Sequence, residues 1–168
     1  MDFFFVQGIP FIHTISRKLK FRTISHVPDR SKDTILKETL LAITLYRTRG
    51  FDIVDIQADM EFACIQHNVL PTQFNITPRD AHVGEVERSI RTIKERVRAD
   101  IHDMPFKRLP KLIIVELVRR AVQVLNQFPA LDGVSDTLSP LNIMTGKPHP
   151  NYHQMKICLL YTSPSPRD

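Results

Sequence analysis

Three short runs of β-branched and aromatic residues open this 168-residue chain before any helical pattern begins, and this order limits the folds available to it. The runs cover residues 2–6, 10–16 and 19–26, and short polar or glycine-containing steps separate them. Such runs are typical of neighbouring strands joined by tight turns. The pattern therefore predicts an antiparallel meander at the start of the chain.

Helical and extended patterns alternate after the meander. Ser31 is predicted to cap a helix that ends before Gly50, and strands are predicted at 51–58 and 73–77, with a short helix over 60–67 between them. Later helices are predicted at 82–98 and 112–128, and after a loop with Gly133 comes a further segment over 138–146. This order predicts an α/β fold, in which helices cover a mixed five-stranded sheet. The predicted apolar face of the first helix consists of Ile35, Leu36, Leu40 and Ile43.

The segment 82–98, HVGEVERSIRTIKERVR, has the spacing of an amphipathic helix. Its apolar stripe is predicted to contain Val86, Ile90, Ile93 and Val97. Beside that stripe, one acid leads a row of cations at the same spacing, formed by Glu87, Arg91, Lys94 and Arg98.

Charge is concentrated on this predicted helix. Residues 88–98 contain five cationic residues and one acid, Glu95, so their net charge is +4. The net charge of the whole chain is +5. A surface helix with Glu87–Arg91 and Arg91–Glu95 ion pairs is the simpler interpretation, although such pairs contribute under about 1 kcal/mol each. So much like charge on one element favours contact with a phosphate backbone instead. The residues predicted to bind DNA are Arg88, Arg91, Lys94 and Arg98.

Composition narrows the class of protein. A hydrophobic content of 42% and a charged content of 24% are sufficient for one globular domain with an ordinary core. Cys64 and Cys158 are too few for a zinc cluster or a disulfide framework, which suits a reducing compartment. No apolar run approaches the roughly 20 residues of a membrane helix, and the apolar start has no basic leader, so neither a membrane span nor a signal peptide is predicted.

Three carboxylates follow or begin elements whose ends could meet: Asp2 in the first strand, Asp59 just after the fourth, and Glu87 on the charged helix. Clustered carboxylate oxygens can hold two magnesium ions about 3.5–4 Å apart, the arrangement that catalyses phosphodiester displacement. Simpler roles remain open for each acid. Asp59 could cap a helix, Asp2 could be a frayed terminal residue, and Glu87 could belong to a surface ion pair.

Other candidate ligands are less favoured. Asp52 and Asp55 rival Asp59, but they are predicted to lie inside a strand, whereas sites in α/β sheets form beyond strand ends. His149 and His153 have a suitable spacing for zinc, but they lie in a proline-containing tail. Zinc is therefore not predicted.

Four segments together resemble the integrase core of copia-type retrotransposons: DFFFVQGIPFIHTISRKLKFRT, ADMEF, HVGEVERSIRTIKERVR and LSPLNIMTGKPHP. The resemblance spans residues 2–157 and is most specific around Glu87. It implies a ribonuclease H-like fold and an Asp-Asp-Glu triad of Asp2, Asp59 and Glu87 that is both catalytic and the ligand set for Mg²⁺ or Mn²⁺. Only 27 residues separate Asp59 from Glu87, a shorter stretch than retroviral relatives have.

The resemblance also implies partners and a place of action. It implies DNA as the substrate, at both the element ends and the target, together with homo-oligomers, and neither a membrane nor a small-molecule substrate. It implies action in the nucleus during integration, although no targeting signal is visible in the sequence. Residues 112–128 could supply an oligomer interface, or they could simply be core.

The two ends of the sequence lead to predictions about domain boundaries. Only Met1 precedes Asp2, whereas the first acid of the family lies within a strand, so an N-terminally truncated core of a polyprotein is expected. The core is predicted over 1–148 and a linker over 149–157. Residues 158–168, CLLYTSPSPRD, resemble a translated sequencing adapter and are predicted to be a non-native, disordered tail.

Two further functions remain open. The chain could be a catalytically inactive remnant that only binds nucleic acid, which the short first strand favours. It could also be a cellular ribonuclease H-like nuclease acting on RNA–DNA hybrids, but the copia-like sequence of residues 82–98 and 138–149 disfavours this alternative.

Overall fold

The computed structural model describes residues 1–77, 84–106 and 108–147. Within these residues, five strands and four α-helices follow one another in the predicted order, with one 3₁₀ helix between the last two strands. The strands are β1 (Asp2–Val6), β2 (Ile9–Ile15), β3 (Arg22–His26), β4 (Asp55–Ala58) and β5 (Gln73–Ile76). The helices are α1 (Lys32–Arg47), the 3₁₀ helix (Met60–Asn68), α2 (Gly84–His102), α3 (Lys111–Gln127) and α4 (Pro140–Thr145).

The predicted meander is confirmed. β1 pairs antiparallel with β2, and β2 pairs antiparallel with β3. Gln7 and Gly8 form the first turn, both with positive φ. β3 is shorter than predicted because residues 16–21 form a turn, in which Lys20 has a φ of 57° and donates its backbone N–H to the carbonyl of Ser16.

The five strands form two hydrogen-bonded sheets in the described part of the chain. The meander is one, and β4 paired in parallel with β5 is the other. Between β1 and β4, the amino group of Met1 donates to the carbonyl of Gln57 at 2.5 Å. β4 begins later than predicted, at Asp55, and residues 51–54 are not part of the strand. The backbone N–H of Phe51 instead donates to the carbonyl of Tyr46 at the end of α1.

Helices α2 and α3 cover one side of the meander and form the larger core with it. All four predicted stripe residues of α2 are buried, and Ile93 and Val97 have no exposed surface. The apolar face of α3 is buried in the same cluster, so within this chain that face is core. Leu112, at the start of α3, is 70% exposed.

A second core cluster lies between α1, the 3₁₀ helix and β4–β5. Ser31 caps α1 as predicted, with its side chain accepting from the backbone N–H of Thr34. One predicted core position is wrong: Leu40 is 42% exposed, and Thr39 takes its place, because the buried face of α1 runs along Ile35, Thr39, Ile43 and Tyr46. Among the described residues, no helix is both long enough and apolar enough to cross a membrane.

Candidate functional site

The first predicted acid, Asp2, begins β1 and pairs in register with His13 of β2. Asp2 is half-buried, and its pKa is raised, first by burial and then by the negative charge of Asp59, with a smaller contribution from Glu87. Both other acids therefore lie close enough to Asp2 for their charges to act on it. The fold brings the three acids together, although 56 residues separate Asp2 from Asp59 and 27 residues separate Asp59 from Glu87.

Asp59 occupies the position directly after β4 and before the 3₁₀ helix. It is the N-cap residue of that helix, but its side chain makes no capping hydrogen bond. The side chain is exposed, and its charge acts on Asp2 and on the amino group of Met1. The capping interpretation of Asp59 therefore lacks its defining contact.

Glu87 lies in the first turn of α2, where a carboxylate is favoured by the partial positive charge of the helix N-terminus. Its side chain is exposed, whereas Val86 beside it is buried. Arg91 makes no ion pair with Glu95 among the described residues, which removes one of the two contacts of the surface-helix interpretation.

The donor set suits a hard divalent cation, because it consists of carboxylate oxygens alone. Burial, followed by the negative charge of Asp59, raises the pKa of Asp2, and a bound cation would offset the repulsion between the acids. Within residues 1–77, 84–106 and 108–147, however, no three acidic, histidine or cysteine side chains are grouped closely enough to hold one metal ion together. The acids are gathered at one place without forming a closed metal cage.

A wide cavity among the described residues lies apart from these three acids. It measures about 630 Å³ and is lined mainly by α1, by the end of β2 and by residues 51–57. Neither Asp2, Asp59 nor Glu87 lines it, whereas the rival acids Asp52 and Asp55 do. Asp52 precedes β4 rather than lying inside it, and Asp55 accepts a hydrogen bond from the side-chain amide of Asn75 at 2.6 Å.

A buried polar network fixes α2 to the meander two residues after Glu87. His13 has no exposed surface; its Nδ1 lies 2.9 Å from the carbonyl of Thr23, and its Nε2 lies 2.9 Å from Oγ of Ser89 on α2. A carbonyl only accepts, so Nδ1 carries the proton and Nε2 accepts from the Ser89 hydroxyl. His13 lies on β2 in register with Asp2 of β1, so its side chain ties the strand next to the first acid to the helix of the third.

The predicted DNA-binding cations do not share one surface. Arg91 and Arg98 are exposed on α2, and Lys94 is half-buried with Nζ 5.8 Å from the centroid of the Phe4 ring. We call Arg91, Lys94 and Arg98 the cationic ridge. Arg88 instead lines a separate cleft of about 350 Å³ beside α2.

The sequence pattern did not single out four residues that build this region. His13, Arg22, Ser89 and Asn126 are buried or half-buried and are hydrogen-bonded in a chain across four elements, β2, β3, α2 and α3. Ser89 and Asn126 interrupt apolar helix faces, which is the one local signal they carry. The histidine pair His149 and His153, Cys158 and the proposed tail lie outside the described residues, and Cys64 is an exposed free thiol.

This arrangement of strands and helices has counterparts among solved structures. The catalytic core domain of BIV integrase matches 87% of this chain and 91% of its own, with a TM-score of 0.62 and 15% sequence identity. The chain has an integrase catalytic-core fold. The HTLV-2 integrase catalytic core domain, solved in complex with magnesium in a trimeric form, matches 84% of this chain and 90% of its own, with a TM-score of 0.57 and 16% identity.

The integrase-core likeness confirms the α/β, ribonuclease H-like fold that the sequence resemblance implied. No protein-family model matches the sequence, and no curated protein matches it either. At 15–16% identity the likeness concerns the fold, and the chemistry has to be argued from the residues themselves.

Proposed function

We propose that this chain is the catalytic core of a copia-type retrotransposon integrase, which processes the 3′ ends of element DNA and joins them to target DNA. The observation that carries the proposal is the convergence of three elements, because the start of β1, the end of β4 and the first turn of α2 bring Asp2, Asp59 and Glu87 near one another. The pKa of Asp2 is accordingly raised, first by burial, then by the charge of Asp59, with a smaller contribution from Glu87. Like charges gathered on an integrase-core fold are what a site for divalent cations requires.

Each acid has a defined part in this proposal. Asp2 and Asp59 would hold one magnesium ion, and Asp2 with Glu87 would hold the other. Bound there, the two ions supply charge stabilisation for the attacking and leaving oxygens of an in-line phosphodiester displacement. Mn²⁺ would serve the same oxygen ligands.

The other side chains position the substrate. The cationic ridge continues along α2 from Glu87, one helical turn at a time, so Arg91 and Lys94 would bind phosphates next to the scissile bond. These contacts hold DNA without reading its sequence. The network of His13 and Ser89 keeps α2 in place relative to β1, and so sets the position of Glu87 relative to Asp2.

The decisive experiment measures strand transfer on a labelled duplex that ends in the terminal sequence of the element. Asp59→Asn is expected to abolish magnesium-dependent product, by at least about 10²-fold, since each acid is required for the metal pair. The matched control is Asp52→Asn, which makes the same chemical change seven residues earlier and should keep wild-type activity. Activity retained in Asp59→Asn would refute the assignment.

An inactive nucleic-acid-binding remnant is the second candidate. Its support is the absence of a closed three-ligand group among the described residues. A magnesium titration separates the two candidates: the integrase core gives metal-dependent product, and the remnant binds DNA with no product at any magnesium concentration. An RNA–DNA hybrid in the same assay tests the third possibility, a ribonuclease H-like nuclease.

Assembly and location follow from the same proposal. An integrase acts on two DNA ends, so we expect a homo-oligomer in solution and action in the nucleus. Because the apolar face of α3 is buried in the core, we expect the contact between copies to use other surfaces. Light scattering at several concentrations measures the oligomeric state.

A further inference from the structure

A second group of cations lies beside α2, away from the cationic ridge. The cleft of about 350 Å³ is bounded by α2, by the start of β3 and by the segment after α3. We call it the α2–α3 cleft. Its ionised lining residues are four cations and two acids: Lys20, Arg22, Arg88, Arg96, Glu85 and Asp132.

Arg22 is held at this cleft by contacts on both its backbone and its side chain. Buried Asn126 of α3 accepts from the Arg22 backbone N–H at 2.9 Å and donates to its carbonyl at 2.8 Å. The guanidinium Nε donates to Ser89 Oγ at 3.0 Å, and Nη1 donates to the carbonyl of Lys20 at 3.1 Å. Nη2 makes no hydrogen bond to a described residue, so it is available to a ligand.

Charge in the cleft is not balanced. Lys20 and Glu85 form an ion pair at 2.6 Å, which leaves three arginines facing Asp132, a net charge of +2. The pKa of Arg22 is lowered, first by burial and also by the positive charge of Arg96, while the negative charge of Glu85 acts in the opposite direction. A group of cations held together in this way is stabilised by a bound anion.

The spacing of these cations fits a polymer rather than a single ion. Arg88, Thr92 and Arg96 line the cleft at successive turns of α2, so the two arginines are about 12 Å apart along the helix axis. DNA advances about 3.4 Å per nucleotide of each strand, so this distance spans roughly three to four nucleotides. The row of Arg88, Thr92 and Arg96 is rotated by roughly a third of a turn around the axis of α2 from the cationic ridge.

We propose that the α2–α3 cleft binds the phosphate backbone of duplex DNA, as a second contact separate from the cationic ridge. α2 then contacts DNA along two flanks, and half-buried Arg22 adds a fixed cation beside Arg88 and Arg96. The proposal rests on the proposed function, since it assigns a further DNA contact to the same core. Base edges are not involved, so the contact is independent of sequence.

The test compares single substitutions that each remove one positive charge. Binding of a labelled 20-base-pair DNA duplex to the 168-residue chain is measured by fluorescence anisotropy in EDTA, over a series of salt concentrations. Arg96→Gln and Arg88→Gln alter the cleft, and Arg91→Gln alters the ridge. The matched control is Arg119→Gln, which removes an exposed arginine that pairs with Glu116 on α3.

Each cleft variant is expected to weaken binding roughly three- to tenfold and to reduce the salt slope by about 0.9, the value for one lost phosphate contact. Arg119→Gln should bind like wild type. If the cleft variants match Arg119→Gln while Arg91→Gln loses affinity, the cleft proposal is wrong and the proposed function stands. If wild type does not bind DNA, both fail. If the cleft substitutions weaken binding to duplex RNA but not to duplex DNA, the cleft proposal is also wrong.

Discussion

Acidification is expected to destabilise this protein through His13. The imidazole has no exposed surface, and burial is the first cause that lowers its pKa from 6.5 to about 3. Its Nε2 lone pair already accepts from Ser89, and the Arg22 guanidinium that shares Ser89 further disfavours a positive charge. The folded protein therefore keeps His13 neutral at pH values where the unfolded chain protonates it.

The sign and size of the effect follow from proton linkage. Below pH 6.5 the unfolded state binds one more proton than the folded state, so the free energy of unfolding falls as the pH falls, until about pH 3. The slope is about 1.4 kcal/mol per pH unit. Between pH 7 and pH 5 the contribution of His13 is about 2 kcal/mol, a large share of the stability of a typical domain.

Urea unfolding at pH 7, 6 and 5 measures this contribution directly. His13→Gln removes the titrating group, so its loss of stability over this range should be smaller than that of wild type by about 2 kcal/mol. The control is His102→Gln, which removes an exposed imidazole at the end of α2 and should follow wild type. If His13→Gln and wild type lose the same stability, the assignment of acid sensitivity to His13 is wrong.

Three other outcomes are expected. Ser89→Ala should lower the free energy of unfolding by about 1–3 kcal/mol in denaturant titrations, because His13 Nε2 is left buried without a donor; an unchanged midpoint would contradict the network. Asp2→Asn should raise the melting temperature at pH 7 without divalent metal, because it removes repulsion from two acids, and the gain should disappear in acid, where Asp2 is protonated; a lower melting temperature would argue against clustered acids. Ile93→Ala should cost about 2–5 kcal/mol and Leu40→Ala under about 1 kcal/mol, since Ile93 is fully buried and Leu40 is 42% exposed; calorimetry giving equal costs would refute these burial assignments.

Local patterns predicted the elements well. Alternation and turn residues located the meander, since strand pairing across a two-residue turn depends on neighbours in sequence. The stripe of α2 was predicted residue by residue, because a helix buries every third or fourth position whatever it packs against. Leu40 was misplaced, because two rows of α1 were apolar and only the partner surface decided which was buried.

The candidate site was only partly accessible to sequence reasoning. The resemblance supplied Asp2, Asp59 and Glu87, and the structure places the other two acids where their charges act on Asp2. The contacts of Arg22 could not be predicted, because Asn126 lies 104 residues away and no local pattern couples them. For the same reason the cleft beside Arg88 could not be predicted, because the segment that follows α3 forms its other wall.

The sequence by itself determined the order of strands and helices, the buried stripe of α2 and the excess of cations on that helix, since each depends on residues within a few turns. Only the tertiary structure decided that the strands form two ladders, that His13 joins β2 to α2, and that Arg88 and Arg96 line a cleft whose other wall follows α3. These features arise where distant segments meet. Burial and charge at such contacts are properties of the packed chain, so no local spacing encodes them.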